Sequence, residues 1–326
     1  MRNRPVLPET LVRIASATRC AGFTVVELLV SIAILTILVA LAMPAVQQSR
    51  AAAHRMACSS HLHQIGIAVE SYVSSNRQLP YTHRGAGLLF SILPYLEQSA
   101  EYERLVPLLT GDANAFSQAL FTIARLDVYR CPVDTFADYP GASSYTVNGG
   151  LLPAVGWGNA FIPDKEPYLT WSHVTDGLSQ TAFCSEMRAS PRVPIGNPVA
   201  PQHGQWRISF ITANTYTITL PEIDRFAREC LEASTSSPPQ LSATSSAYYI
   251  HNAGYNHVGT PNSPECQCFD LLQNVAVSTP AFSNHTSGVN VLMADGAVRF
   301  SSSNIDLQVW RAVGSRNGGE PMSNSF

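Results

Sequence analysis

The sequence predicts an α+β protein, with one long N-terminal helix packed on a mainly antiparallel β head. Three observations predict it. From Phe23 to Val46 the chain is apolar apart from a single charge, Glu27. A stripe at helical spacing, Cys58, Leu62, Ile65, Val69 and Tyr72, follows that run. Beyond Asn76 the helical pattern gives way to short strand-like segments among turn residues, the clearest around Asp295-Gly296. A chain of 326 residues is long enough to bury a sizeable head beside such a helix.

The N-terminal residues come first. Residues 1–22 carry Arg2, Arg4, Arg13 and Arg19 against Glu9 alone, so a basic segment precedes the apolar run. That order is a targeting signature. The run from Phe23 to Val46 exceeds the roughly 20 residues that span a bilayer as a helix, and it is longer than the core of a cleaved secretory signal. The upstream arginines should stay cytoplasmic, which places everything after the helix outside. Glu27 is the anomaly, because a carboxylate inside a spanning helix costs on the order of a few kcal/mol unless it has a partner.

Pro44 falls near the end of the run and should kink the helix there. Arg50, Gln64, Glu70 and Ser74 lie off the apolar stripe that follows. One nearly continuous helix from about Phe23 to Ser75 is expected, roughly 80 Å long.

In the head, strands are expected at Leu88–Ile92, Tyr145–Asn148, Thr181–Glu186, Trp206–Thr212 and Tyr216–Leu220. Short helices are expected at Ser99–Leu108, Ala113–Ala124 and Pro221–Ala233. Val289–Ala294 and Ala297–Ser301 flank Asp295-Gly296, which reads as a two-residue hairpin turn. Stretches 188–205 and 233–247 are rich in Pro, Ser and Gly and read as surface loops.

Composition excludes some functions. Only 13% of residues are charged, acidic residues slightly outnumber basic ones, and Lys165 is the single lysine. No nucleic-acid partner is expected.

The string Gly22-Phe23-Thr24-Val25-Val26-Glu27 resembles the cleavage and methylation signal of type IV prepilins and pseudopilins. The resemblance implies that a prepilin peptidase cuts between Gly22 and Phe23 and methylates the new N-terminus. Glu27 is then the fifth residue of the mature chain, and it can neutralise the Phe23 amine of a neighbouring subunit. Such a charge pair is tolerable only once assembled, so it would set subunit register. Three segments are implied: a leader over 1–22, a helix over 23–76 that crosses the membrane at about 23–46, and an extracytoplasmic head over 77–326.

"PAVQQSRAAAHRMACSSHLHQIGIAVESYVSSNRQLP" is similar to a large group of pilin-like proteins, found mainly in planctomycete bacteria, whose big head has no known function and is catalogued as solute-binding-protein-like. Further matches are "YRCPVD", "SSYTVNGG", "TDGLSQTAFCSE" and "SNHTSGVNVLMADGAVRF", the last with a His-x9-Asp-Gly spacing at His285, Asp295 and Gly296. Loss of the leader removes Cys20 and leaves six cysteines, an even number that invites disulfides outside the cytoplasm. Because Cys58 and Cys131 both lie in matching segments, they are the preferred pair. Cys230 with Cys266 or Cys268 is a second option, and Cys184 reads as a buried thiol.

Several constellations admit chemistry, and each has a plainer alternative. His251, His257, Cys266 and Cys268 could be drawn as a zinc set, but their spacing matches no standard structural site. His285 and Asp295 admit a metal or catalytic dyad; the preferred reading has His285 bonded to a loop and Asp295 holding the hairpin turn. No cofactor is expected; calcium is admitted because some pseudopilin heads bind it through loop carboxylates, and Asp164, Asp176 and Asp295 are available donors, yet nothing resembles a calcium-loop consensus. A serine hydrolase lacks its Gly-x-Ser-x-Gly elbow. Trp157, Trp171, Trp206 and Trp310 could form a sugar platform, though large aromatics are more often core.

The function expected is therefore structural rather than enzymatic. The chain would sit in the inner membrane or an extracellular filament, as a subunit of a pilus or secretion pseudopilus that contacts other pilin-like subunits through its helix. The alternative is a membrane-anchored binding module for a glycan or other solute.

Overall fold

The computed structural model describes residues 24–80, 87–110, 125–134, 138, 142–151, 160–161, 168–189, 206–207, 219–236, 254–264, 266–269 and 275–320. The chain divides into two units, 1–50 and 51–326.

Helix α1 runs from Val25 to Asn76 and continues through Pro44. In the first unit its apolar side chains face outward: Leu29, Leu35, Leu38 and Val39 are all more than half exposed. An exposed apolar surface of that kind suits lipid or neighbouring helices. This helix is long and apolar enough to cross a membrane.

The rest of α1 belongs to the second unit, where the predicted stripe is the buried face. Cys58, Leu62, Ile65, Ala68 and Val69 are buried, with Tyr72 packed beside them. Arg50, Gln64, Glu70 and Ser74 are exposed. The stripe joins one core with Leu89, Phe90, Ile92, Leu93, Tyr129, Phe183 and Leu292.

Two sheets follow. The larger has the order β4-β1-β2-β7-β8, from β1 (Tyr145–Asn148), β2 (Ala182–Glu186), β4 (Gly254–Tyr255), β7 (Gly288–Met293) and β8 (Val298–Ser302). Its pairings are antiparallel apart from β1 with β4, which is parallel. The three central strands are buried along their whole length. The smaller sheet has the order β3-β5-β6, from Trp206–Arg207, Cys266–Phe269 and Val275–Ser278.

Helix α3 (Ser99–Leu105) runs into a 3-10 turn over Val106–Thr110. Helix α4 (Leu220–Ser236) buries Ile223, Phe226 and Cys230 at three- and four-residue spacing. Helix α5 (Leu307–Gly314) is capped by Asp306, whose carboxylate accepts from Gln308 N and Val309 N. It buries Trp310 and Val313 in a second core with Tyr255, Val289 and Val291.

The structure corrects three expectations. Leu88–Ser91 is a short helix, α2, leading into a 3-10 turn at Leu93–Leu96, not a strand. A short apolar run serves a buried helix as well as a strand. Leu220 opens α4 instead of closing a strand. The hairpin at Asp295-Gly296 has a three-residue loop: Leu292 pairs with Val298 and Met293 N donates to Ala297 O. Gly296, at φ +86°, takes the left-handed position that such loops require. The predicted helix at Ala113–Ala124, residues 208–218 and most of both predicted surface loops lie outside the described residues.

Candidate functional site

Two places concentrate chemistry, one at the start of α1 and one at the end of β2 in the larger sheet. Gly22 and Phe23 lie outside the described residues. Immediately after them, Thr24 and Glu27 form a reciprocal cap. Thr24 N and Oγ1 both donate to Glu27 Oε2, at 2.9 and 2.8 Å, and Glu27 N donates to Thr24 Oγ1 at 3.2 Å. The Thr-x-x-Glu spacing is that of a capping box, which satisfies backbone donors left open in the first turn. The sequence carried this signal, but the interest of Glu27 for a neighbouring subunit hid it. Within a single chain Glu27 therefore already has a partner.

The second place is built by four segments. Helix α1 supplies Cys58 and the loop after the Asp127–Tyr129 turn supplies Cys131; the two form a disulfide with Cα atoms 5.2 Å apart. Strand β2 ends on Glu186, and the turn before β7 carries His285. His285 Nε2 lies 3.2 Å from Glu186 Oε1 and 3.4 Å from Cys131 Sγ. All four residues are buried.

Glu186 is held from a third side. Asn290 donates its backbone N–H to Oε2 and its side-chain amide to Oε1, each at 2.8 Å. A buried carboxylate needs such donors, because desolvation would otherwise cost several kcal/mol. The backbone at His285 is held too, since its amide N–H donates to Ser283 Oγ. A small pocket lined by Cys131, Asp134, Glu186, Arg188 and Asn284 adjoins the cluster.

The partner of His285 is thus a carboxylate that sequence reasoning did not single out, although it closes the "TDGLSQTAFCSE" segment. Asp295 is exposed in the hairpin loop, where its Oδ1 accepts from Ala297 N. Asp176 accepts from Gly318 N and Gly319 N, while Asp164 lies outside the described residues. The zinc set suggested over 251–268 is not assembled by those of its members that are described. Cys266 is bonded to Cys230, and buried His257 donates from Nδ1 to Trp310 O at 2.7 Å. Trp310 is core, and Trp171 donates to Glu70. Cys184 is buried as a free thiol, its pKa pushed well up by desolvation.

Residues 47–308 match the family described as Protein of unknown function (DUF1559). The chain belongs to that family. Residues 17–43 match the Prokaryotic N-terminal methylation motif, which covers the apolar start of α1. The pairing of that motif with a DUF1559 head is the combination the sequence resembled. The motif implies processing by a prepilin peptidase and pilin-like assembly, and the apolar helix fits a membrane anchor or signal. No curated protein and no solved structure matches the chain.

Proposed function

We propose that this DUF1559 protein is a structural subunit of a type IV pilus or secretion pseudopilus. It enters the inner membrane through α1 with its leader in the cytoplasm. It is cut after Gly22 and methylated on Phe23, then packs against other pilin-like subunits through the apolar half of α1. The head is carried outside the cytoplasm and performs no catalysis of its own. The observation that carries this reading is the methylation motif over residues 17–43, which overlaps a helix whose described apolar side chains are exposed.

The Thr24–Glu27 cap sharpens the test. If Glu27 serves only its own helix start, Thr24→Val and Glu27→Ala should have the same modest effect. If Glu27 also receives the Phe23 amine of a neighbour, Glu27→Ala should block co-assembly with other pilin-like subunits while Thr24→Val largely preserves it. Cross-linking of membrane-extracted chains separates the two. Normal assembly by processed Glu27→Ala chains would refute the subunit role assigned to Glu27.

A further inference from the structure

The cluster around the Cys58–Cys131 bridge holds more chemistry than a crosslink requires. A disulfide needs only two cysteines in suitable geometry. Here an imidazole and a carboxylate, both buried, converge on it, and Asn290 fixes the carboxylate by two hydrogen bonds. The donor atoms of Cys58, Cys131, Glu186 and His285 all lie within 4.8 Å of one another.

We propose that these four residues form a redox-gated site for one zinc-class divalent cation. The ion is held when Cys58 and Cys131 are reduced and is expelled when they are joined.

The distances support a tetrahedral site. An ion bonded at about 2.0 Å to nitrogen and oxygen and about 2.3 Å to sulfur spaces its ligands roughly 3.3–3.8 Å apart. The His285–Glu186 and His285–Cys131 separations, 3.2 and 3.4 Å, are already close to those edges. Once their bond is cleaved the two sulfurs need to part by roughly 1.7 Å, and every other pair of donor atoms starts within 4.8 Å. Two thiolates with an imidazole favour zinc over calcium or magnesium, which prefer all-oxygen sites. The hydrogen bonds that orient Glu186 are the kind of support that ligating carboxylates carry.

The chemistry balances. A dithiol reductant attacks the Cys58–Cys131 bond and gives up two electrons and two hydrogens, leaving two thiols here and a disulfide on the donor. The cation then displaces both thiol protons, and His285 binds through Nε2 with its hydrogen on Nδ1. Oxidation by a disulfide donor reverses the sequence and releases the ion. In either state α1 stays tied to the head, by a covalent bond or through the metal. The proposal does not depend on whether the chain joins a filament.

The test uses the full chain in detergent micelles, reduced with a phosphine and supplied with zinc. The expected result is one zinc per reduced chain and none per oxidised chain, with near-UV circular dichroism retained. His285→Ala and Glu186→Gln should each weaken zinc binding by more than the roughly 10- to 100-fold that losing an outer-shell partner costs. A readout that needs no variant is alkylation of the reduced wild-type chain. Zinc should protect Cys58 and Cys131 selectively, as read by peptide mass spectrometry, and leave other thiols unaffected. The proposal is overturned if zinc leaves both cysteines fully alkylated. It is also overturned if the reduced chain keeps its near-UV signal but holds no zinc, or if both variants bind as tightly as the wild type.

Discussion

Buried His257 should make the head sensitive to mild acid. Its ring lies fully inside the second core, 4.1 Å from the Trp310 ring centre, and its Nδ1 hydrogen goes to the Trp310 carbonyl. Its Nε2 has no hydrogen-bond partner among the described residues. Protonation would place an unpaired cation in an apolar site, so desolvation pushes the pKa down to about 3, against an ordinary value of 6.5. The bond to Trp310 offsets only part of that.

The folded-state pKa is depressed, so the unfolded chain binds the proton more readily. Stability is therefore full above about pH 6.5 and falls as pH drops from there towards 3. At about 1.4 kcal/mol per pH unit, His257 alone should cost about 2 kcal/mol between pH 6.5 and 5. His257→Phe removes the titration and keeps a ring against Trp310. It loses the hydrogen bond, which should cost about 1–2 kcal/mol at every pH. The assay is urea unfolding of the chain in micelles at pH 7, 6 and 5. The wild type should lose about 2 kcal/mol more than His257→Phe over that range. Parallel curves for the two proteins would refute the reasoning.

Three further outcomes follow from the packing. Leu62 is fully buried on the α1 stripe, so Leu62→Ala should cost about 3 kcal/mol by urea unfolding. The Cys58–Cys131 bridge spans 73 residues, and loop-closure entropy makes it worth about 4 kcal/mol; a Cys58→Ala/Cys131→Ala chain with an unchanged unfolding midpoint would contradict that. A Cβ on Gly314 would fall against the His257 ring. Gly314→Ala should therefore destabilise by about 1–3 kcal/mol and lower the thermal midpoint, although alanine is the better helix former.

Much of the fold was legible because its signals are local. The α1 stripe repeats at three- and four-residue spacing, and Cys58, Leu62, Ile65 and Val69 are indeed its buried positions. Tyr145–Asn148 was read in full, being bounded by turn residues and rich in β-formers. Leu88–Ile92 was misread because four apolar residues and one serine carry no clear period, and Gly87 and Pro94 flank either element equally well. The hairpin was found but its loop length was not, since Asp-Gly serves both two- and three-residue loops.

The chemical cluster was legible only in parts. His285 was marked by its motif and the Cys58–Cys131 pair by family resemblance. Glu186 looked like the last residue of an ordinary strand, where a carboxylate would usually reach solvent. Only the pairing of β2 with β7 brings it beside Asn290 and His285. No spacing within one segment encodes that contact.

The central claim is that α1 is a processed pilin-type helix. Intact-mass analysis of the chain purified from its own membranes tests it most directly. The account predicts a chain that begins at Phe23 and carries one added methyl group. A chain that still begins at Met1 would contradict it.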